Sequence, residues 1–150
     1  MMTPPLTDIE LLRRLLLAAG LGAAIGLERE LRQKSAGLRT NILIATGSAL
    51  FTLLSAGLAN AGADVTRISA QIVTGIGFLG AGAILRTRDR VHGLTTAATV
   101  WVNAAVGMAA GGGEYHAALI TTAVTVAVLI VLSPIEAALD RRLFGVPRDK

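Results

Sequence analysis

Residues 94–111 read LTTAATVWVNAAVGMAAG, and residues 115–132 read YHAALITTAVTVAVLIVL. Neither stretch holds an Asp, Glu, Lys or Arg, and only Gly112, Gly113 and Glu114 separate them. Each has the length, roughly 17–25 residues, that an α-helix needs to cross a hydrocarbon core of about 30 Å. Working outward, three more apolar runs come before them, at about Ile9–Leu27, Leu38–Ala59 and Ile68–Leu85, with the charges gathered in the gaps. A soluble domain of 150 residues must coat itself with polar side chains, yet this chain is 53% hydrophobic and only 16% charged. Its mean hydropathy is +0.63. The sequence therefore predicts one all-α domain over residues 1–150, an integral membrane bundle of five transmembrane helices, and argues against a soluble enzyme.

The flanks place the ends of the runs. Thr7-Asp8-Ile9-Glu10 is a capping box at the start of the first. A signal peptide carries its positive charge before the run and ends in a small-residue cleavage site. This run instead ends in Glu28-Arg29-Glu30 and is expected to be retained. Beyond the fifth run, Ser133-Pro134-Ile135-Glu136 reads as a second capping box that begins a separate short helix over about 134–144. Its Ile135, Ala138, Leu139 and Leu143 share one face, which predicts that it lies on the membrane surface.

A net charge of +4 could indicate nucleic acid, but the basic residues sit at the ends of apolar runs and only 3% of the chain is aromatic. They are better read as orientation signals. Five spans place Arg29, Arg32, Lys34, Arg39, Arg86, Arg88, Arg90, Arg141, Arg142, Arg148 and Lys150 on one side and Arg13, Arg14 and Arg67 on the other. The positive-inside rule makes the larger group cytoplasmic, with the N-terminus outside and the C-terminus inside. Arg13 and Arg14 would then snorkel to the outer headgroups; were the first run not a span, the N-terminus would be cytoplasmic. The chain has no cysteine, which excludes disulfides and thiolate chemistry and leaves the redox compartment open.

Helical spacing indicates which faces meet. Ala18, Gly22 and Gly26 form a small-xxx-small stripe on the first helix. Asn41, Ala45, Ser48, Thr52 and Ser55 line one face of the second helix. Gln71, Thr74, Gly75, Phe78 and Gly82 line one face of the third, and His92, Thr96, Thr99, Asn103 and Gly107 one face of the fourth, with Trp101 turned away towards lipid. Polar groups are costly against hydrocarbon, so these three stripes are expected to face one another, as helix adhesives ahead of a permeation path. Residues 26–40 also echo 82–96 at an offset of 56, which suggests two parallel hairpins, although two Gly- and Arg-rich loops would give the same echo by chance.

Gly75-Ile76-Gly77-Phe78-Leu79-Gly80 matches the dinucleotide fingerprint G-x-G-x-x-G. That fingerprint must join a strand to a helix, and here it lies inside an apolar run, so Gly75, Gly77, Gly80 and Gly82 are read with Gly22 and Gly26 as helix-packing residues. His92 and His116 fall on opposite sides, and no catalytic constellation survives the topology. The chain is not expected to be an enzyme or to carry a cofactor.

Three blocks remain: GLERELRQKSAGLRTN (26–41), AQIVTGIGFLGAG (70–82) and GLTTAAT (93–99). Together they resemble the signatures of the MgtC/SapB family. The resemblance implies a multi-pass protein of the bacterial inner membrane with five spans and a cytoplasmic C-terminus. It also implies a role in adaptation to low Mg²⁺, in acid stress and virulence, and in restraint of the F-type ATP synthase. Longer members carry a soluble domain after the fifth span, whereas this sequence stops at Lys150. Two functions follow as expectations: a membrane interaction or regulatory module, acting on a second copy or on a membrane subunit of the ATP synthase, or a transporter of Mg²⁺ or another cation. The expected site is a cytoplasmic-mouth cluster of Glu28, Arg29, Arg39, Thr40 and Asn41, with Glu28 pairing Arg39 and offering the one carboxylate for a metal. The expected interior contacts are Gln71, Thr74, Thr96, Thr99 and Asn103, with Gln71 and Asn103 at the centre. Against transport, no carboxylate lies within an apolar core, and Mg²⁺ gives up its water reluctantly.

Overall fold

The computed structural model describes residues 7–58, 64, 66–87 and 91–144. Among them are α1 (Asp8–Leu31), α2 (Leu38–Leu58), α3 (Arg67–Gly82), a short antiparallel ribbon of β1 (Leu85–Arg86) and β2 (Val91–His92), α4 (Leu94–Gly112) and α5 (Tyr115–Phe144). The protein is an all-α bundle, as the apolar runs require. Three helices, α2, α4 and α5, are long and apolar enough to cross a membrane. The other two differ for distinct reasons. Charged Glu10, Arg13 and Arg14 interrupt α1 near its start, and α3 has 16 residues, about 24 Å of helix at ~1.5 Å per residue. The ribbon takes up the end of the third run, so α3 stops at Gly82 and not at Leu85.

Close packing of α1, α2 and α4 makes the centre. Helices in lipid gain nothing from apolar burial against one another, so they must approach closely enough for backbones to touch. Gly107 and Gly111 of α4 sit against the Ala45 and Ala49 carbonyls of α2, where any Cβ would collide. This register makes α2 and α4 parallel at an offset of 62, not the 56 of the sequence echo. Against the same stretch of α2, a Cβ at Gly22 would lie 2.7 Å from the Asn41 carbonyl oxygen and one at Gly26 2.9 Å from the Leu38 Cα, so α1 runs antiparallel to α2. The core that these contacts enclose contains Ala18, Leu21, Ile25, Ala45, Ala49, Val106 and Ala110. Buried Ala36, Ile44, Ile76, Val100 and Ala104 form a second cluster where α3 meets α4.

The element ends follow local chemistry. Thr7 accepts from the Glu10 amide at 3.3 Å, half of the expected capping box. The Glu10 carboxylate does not reach back but turns to Arg14 and to the Tyr115 hydroxyl. Before α3, Asp64 accepts from the Thr66 amide and hydroxyl at 2.9 and 2.7 Å. These donors hold its carboxyl below the usual carboxylate range. Gly113 closes α4 at φ +85°, the left-handed conformation that suits glycine after a helix.

The C-terminal expectation needs correction. Ser133 and Pro134 do not start a new helix: α5 runs unbroken through Pro134 to Phe144. Proline removes the amide that would bond the Ile130 carbonyl, four residues earlier. A guanidinium N–H of Arg32 approaches that carbonyl at 3.5 Å, and a second donates to the Ser133 hydroxyl. Residues 145–150, the side chains of residues 140–144, and Arg88 and Arg90 lie outside the described residues.

Candidate functional site

The last two turns of α1 bury a charge cluster. Glu28 and Arg29 lie on the face that α1 turns inward, with side chains only 7% and 4% exposed. Arg29 Nε donates to Glu28 Oε2 at 2.8 Å, and Arg32 Nε approaches Glu28 Oε1 at 2.6 Å. Both carboxylate oxygens are therefore engaged by guanidinium groups. Two cations against one anion leave the cluster at +1, and the buried Arg29 Nη1 has no hydrogen-bond partner. The expected Glu28–Arg39 pair is not formed, because Arg39 and Thr40 are exposed on the outer side of α2. The i,i+4 spacing of Glu28 and Arg32 on one helix face determines the pairing instead.

Glu30 is a member of the site that the sequence did not single out. Its carboxylate accepts from the Leu38 amide at 3.0 Å and packs on Gly37, so it caps the first turn of α2, where an anion is favoured. Beside it, Asn41 Nδ2 donates to the Ala36 and Gly37 carbonyls at 2.8 and 2.9 Å, binding the 32–37 connection to α2. Asn103 Nδ2 of α4 donates in turn to the Asn41 carbonyl at 2.7 Å and to Asn41 Oδ1 at 3.1 Å. Both asparagines are fully buried, and the Asn103 Oδ1 has no partner.

Two of the three expected polar stripes meet. Asn41, Ala45, Ser48 and Ser55 of α2 are buried, as are Thr96, Thr99, Asn103 and Gly107 of α4, while Trp101 points outward. The threonine hydroxyls bond along their own helices: Thr99 donates to the Thr95 carbonyl and Thr52 to that of Ser48. The third stripe is a correction. Gln71, Thr74, Gly75, Phe78 and Gly82 are exposed, and α3 faces the bundle with Ile72, Ile76 and Gly80. Its apolar residues fill the angle against α4 and rotate the glutamine away, so Asn41 takes the place expected of Gln71 opposite Asn103. The glycines divide in the same way. Gly80 approaches Ala97, whereas Gly75, Gly77 and Gly82 have open space where a Cβ would project. Gln71 and Gly75 line an apolar cleft of about 460 Å³ between α2 and α3, with Leu43, Gly47, Phe51 and Leu79.

At the opposite end of the bundle, Arg14 Nε donates to Glu10 at 2.9 Å and its Nη1 to the Gly111 carbonyl at 2.9 Å, capping the end of α4. Arg14 thus turns inward, while Arg13, with a 76% exposed side chain, stays outside. Among the described residues no three His, Asp or Glu side chains gather as a metal set.

The family model for MgtC matches residues 15–138. The chain belongs to the MgtC family. Its curated relatives include the protein named "Putative magnesium transporter YhiD" of Escherichia coli K12, 48% identical over 81% of this chain and 60% of its own length. Protein MgtC of Salmonella typhimurium is 50% identical over 79% of this chain and 50% of its own. An uncharacterized protein of Synechocystis is 45% identical over 89% and 56%. The chain thus spans between half and three-fifths of the length of these relatives. No solved structure matches it. In this member of the MgtC family the block 26–41 builds the Glu28 cluster and the Asn41 junction. The block 93–99 supplies buried Thr96 and Thr99, and 70–82 lines the open cleft.

Proposed function

We propose that this MgtC-family protein is a multi-pass protein of the bacterial inner membrane that serves magnesium homeostasis and stress adaptation as a non-enzymatic interaction and regulatory module. The observation that carries this reading is the state of Glu28. A cation carrier needs free oxygens, and here the buried carboxylate is held by two guanidinium groups, Arg29 and Arg32, in a cluster of net positive charge. A divalent ion would have to displace both while shedding tightly held water. The magnesium connection comes from the name of the Escherichia coli relative. The open glycines of α3 and the cleft beside them offer surfaces to another membrane helix, from a second copy or from the membrane part of the F-type ATP synthase that the family resemblance implies.

The test is Mg²⁺ entry into proteoliposomes that hold the purified protein and an enclosed Mg²⁺-sensitive dye. No flux above protein-free vesicles is expected. Flux that Glu28→Gln abolishes, in a variant shown to be folded, would replace the module by the transporter that the relative's name describes.

A further inference from the structure

We propose that Arg32 is a clasp that fixes the direction in which the chain leaves the bundle beyond Pro134, and that Glu28 keeps the clasp in place. The argument begins with the proline. A proline inside a helix leaves one carbonyl without its donor and is where helices bend. In α5 that carbonyl belongs to Ile130, and Arg32, 98 residues earlier in the chain, brings a guanidinium N–H to it at 3.5 Å. One guanidinium thus holds two points of the turn that leads into Pro134, the Ile130 carbonyl and the Ser133 hydroxyl, while its Nε is fixed to Glu28. Glu28 is buried and also holds Arg29, so the position of Arg32 is set from inside the bundle. Among the described side chains after Pro134, Ile135, Glu136, Ala138 and Leu139 are all exposed. The direction of this segment therefore depends on the helix continuing straight through Pro134, and that continuity depends on Arg32. Anything that draws Glu28 away from Arg32 would loosen the segment without touching it.

The absence of native cysteine allows spin labels to be placed at chosen sites. One pair, Leu94→Cys with Leu139→Cys, reports across Pro134; a second, Leu94→Cys with Val128→Cys, reports on α5 before it. All three positions are exposed. In the full chain in lipid nanodiscs, Arg32→Ala is expected to widen the 94–139 distance distribution by about twofold, as a freed proline kink would, and to leave 94–128 unchanged. Glu28→Gln should do the same. Arg32→Lys, which keeps a charge for Glu28 but lacks the planar fork that spans both α5 contacts, should give a smaller widening and serves if the alanine variant does not fold. The decisive variant is Pro134→Ala: with the amide restored, Arg32→Ala should no longer widen the distribution. An unchanged 94–139 distance in Arg32→Ala, an equal change at 94–128, or an equal widening in the Pro134→Ala background would overturn the proposal. A narrow distribution in Glu28→Gln would remove Glu28 from it.

Discussion

Glu28 is the residue whose loss leaves most undone. Its carboxylate balances two guanidinium groups in a place that water scarcely reaches. Removing one partner of a buried ion pair costs about 3–5 kcal/mol, since the charges left behind stay desolvated. Glu28→Gln should therefore lower the denaturation midpoint in detergent markedly, while Arg39→Ala, an exposed side chain, should stay within about 0.5 kcal/mol of the parent. Equal effects would refute the pairing. The two interior amides separate likewise. Asn103→Leu removes the hydrogen bonds from α4 to Asn41 and should cost about 0.6–2 kcal/mol, the range for polar contacts between membrane helices. Gln71→Leu should be close to neutral in the isolated chain, because Gln71 is exposed on the cleft. A thermal melt of both variants in one detergent decides between this assignment and a Gln71–Asn103 centre.

At the scale of elements, glycine is the test of which helix faces are already used. Gly22 and Gly107 have backbone atoms of α2 where a Cβ would go, so Gly22→Leu and Gly107→Leu should prevent folding. Gly77 faces open space, and Gly77→Leu should leave the folded chain intact. It is thus the clean probe of association: tagged and untagged copies should cease to co-purify in Gly77→Leu if α3 is the contact between copies. Continued co-purification would remove that face from the interaction reading. The contrast also shows what the sequence could and could not tell. The small-residue spacing of Ala18, Gly22 and Gly26, and of Asn103 and Gly107, identified the buried faces of α1 and α4, because a period of four residues leaves little choice of face. For α3 the same reasoning failed. Glycine and glutamine suit an inward face as well as an outward one, and only the fit of Ile72 and Ile76 against α4 decides the rotation. Ser133 and Pro134 misled for a related reason: a local capping pattern competes with a side chain 101 residues away, and sequence spacing cannot show Arg32 arriving there. Glu30 was missed because its partner is an amide eight residues on, outside any helical repeat.

At the scale of the molecule, cross-bundle contacts sort the ends into two sets. Arg32 on Ser133 puts the C-terminal end of α1 beside the C-terminal half of α5, with the start of α2 against Glu30 at the same end. Glu10 with Tyr115 and Arg14 with Gly111 put the start of α1 beside the end of α4 and the start of α5. The two sets make α1 parallel to α5 and antiparallel to α2 and α4, and the first end carries Arg29, Arg32, Lys34 and Arg39, cations that the positive-inside rule assigns to the cytoplasm. Single cysteines read this directly in a chain that has none of its own. In intact cells a membrane-impermeant maleimide should label Asp64→Cys and Glu114→Cys, in the connections after α2 and α4, and should reach Lys34→Cys and Arg86→Cys only after the inner membrane is permeabilised. The telling position is Asp8→Cys at the start of α1, the helix whose charges set it apart from α2, α4 and α5. Labelling from outside would make α1 a span that carries its arginines to the outer headgroups. Protection of Asp8→Cys with Glu114→Cys labelled would instead make α1 a helix that does not cross. The contact of Arg14 with Gly111 could not then persist in the membrane, since the two ends it joins would lie on opposite sides.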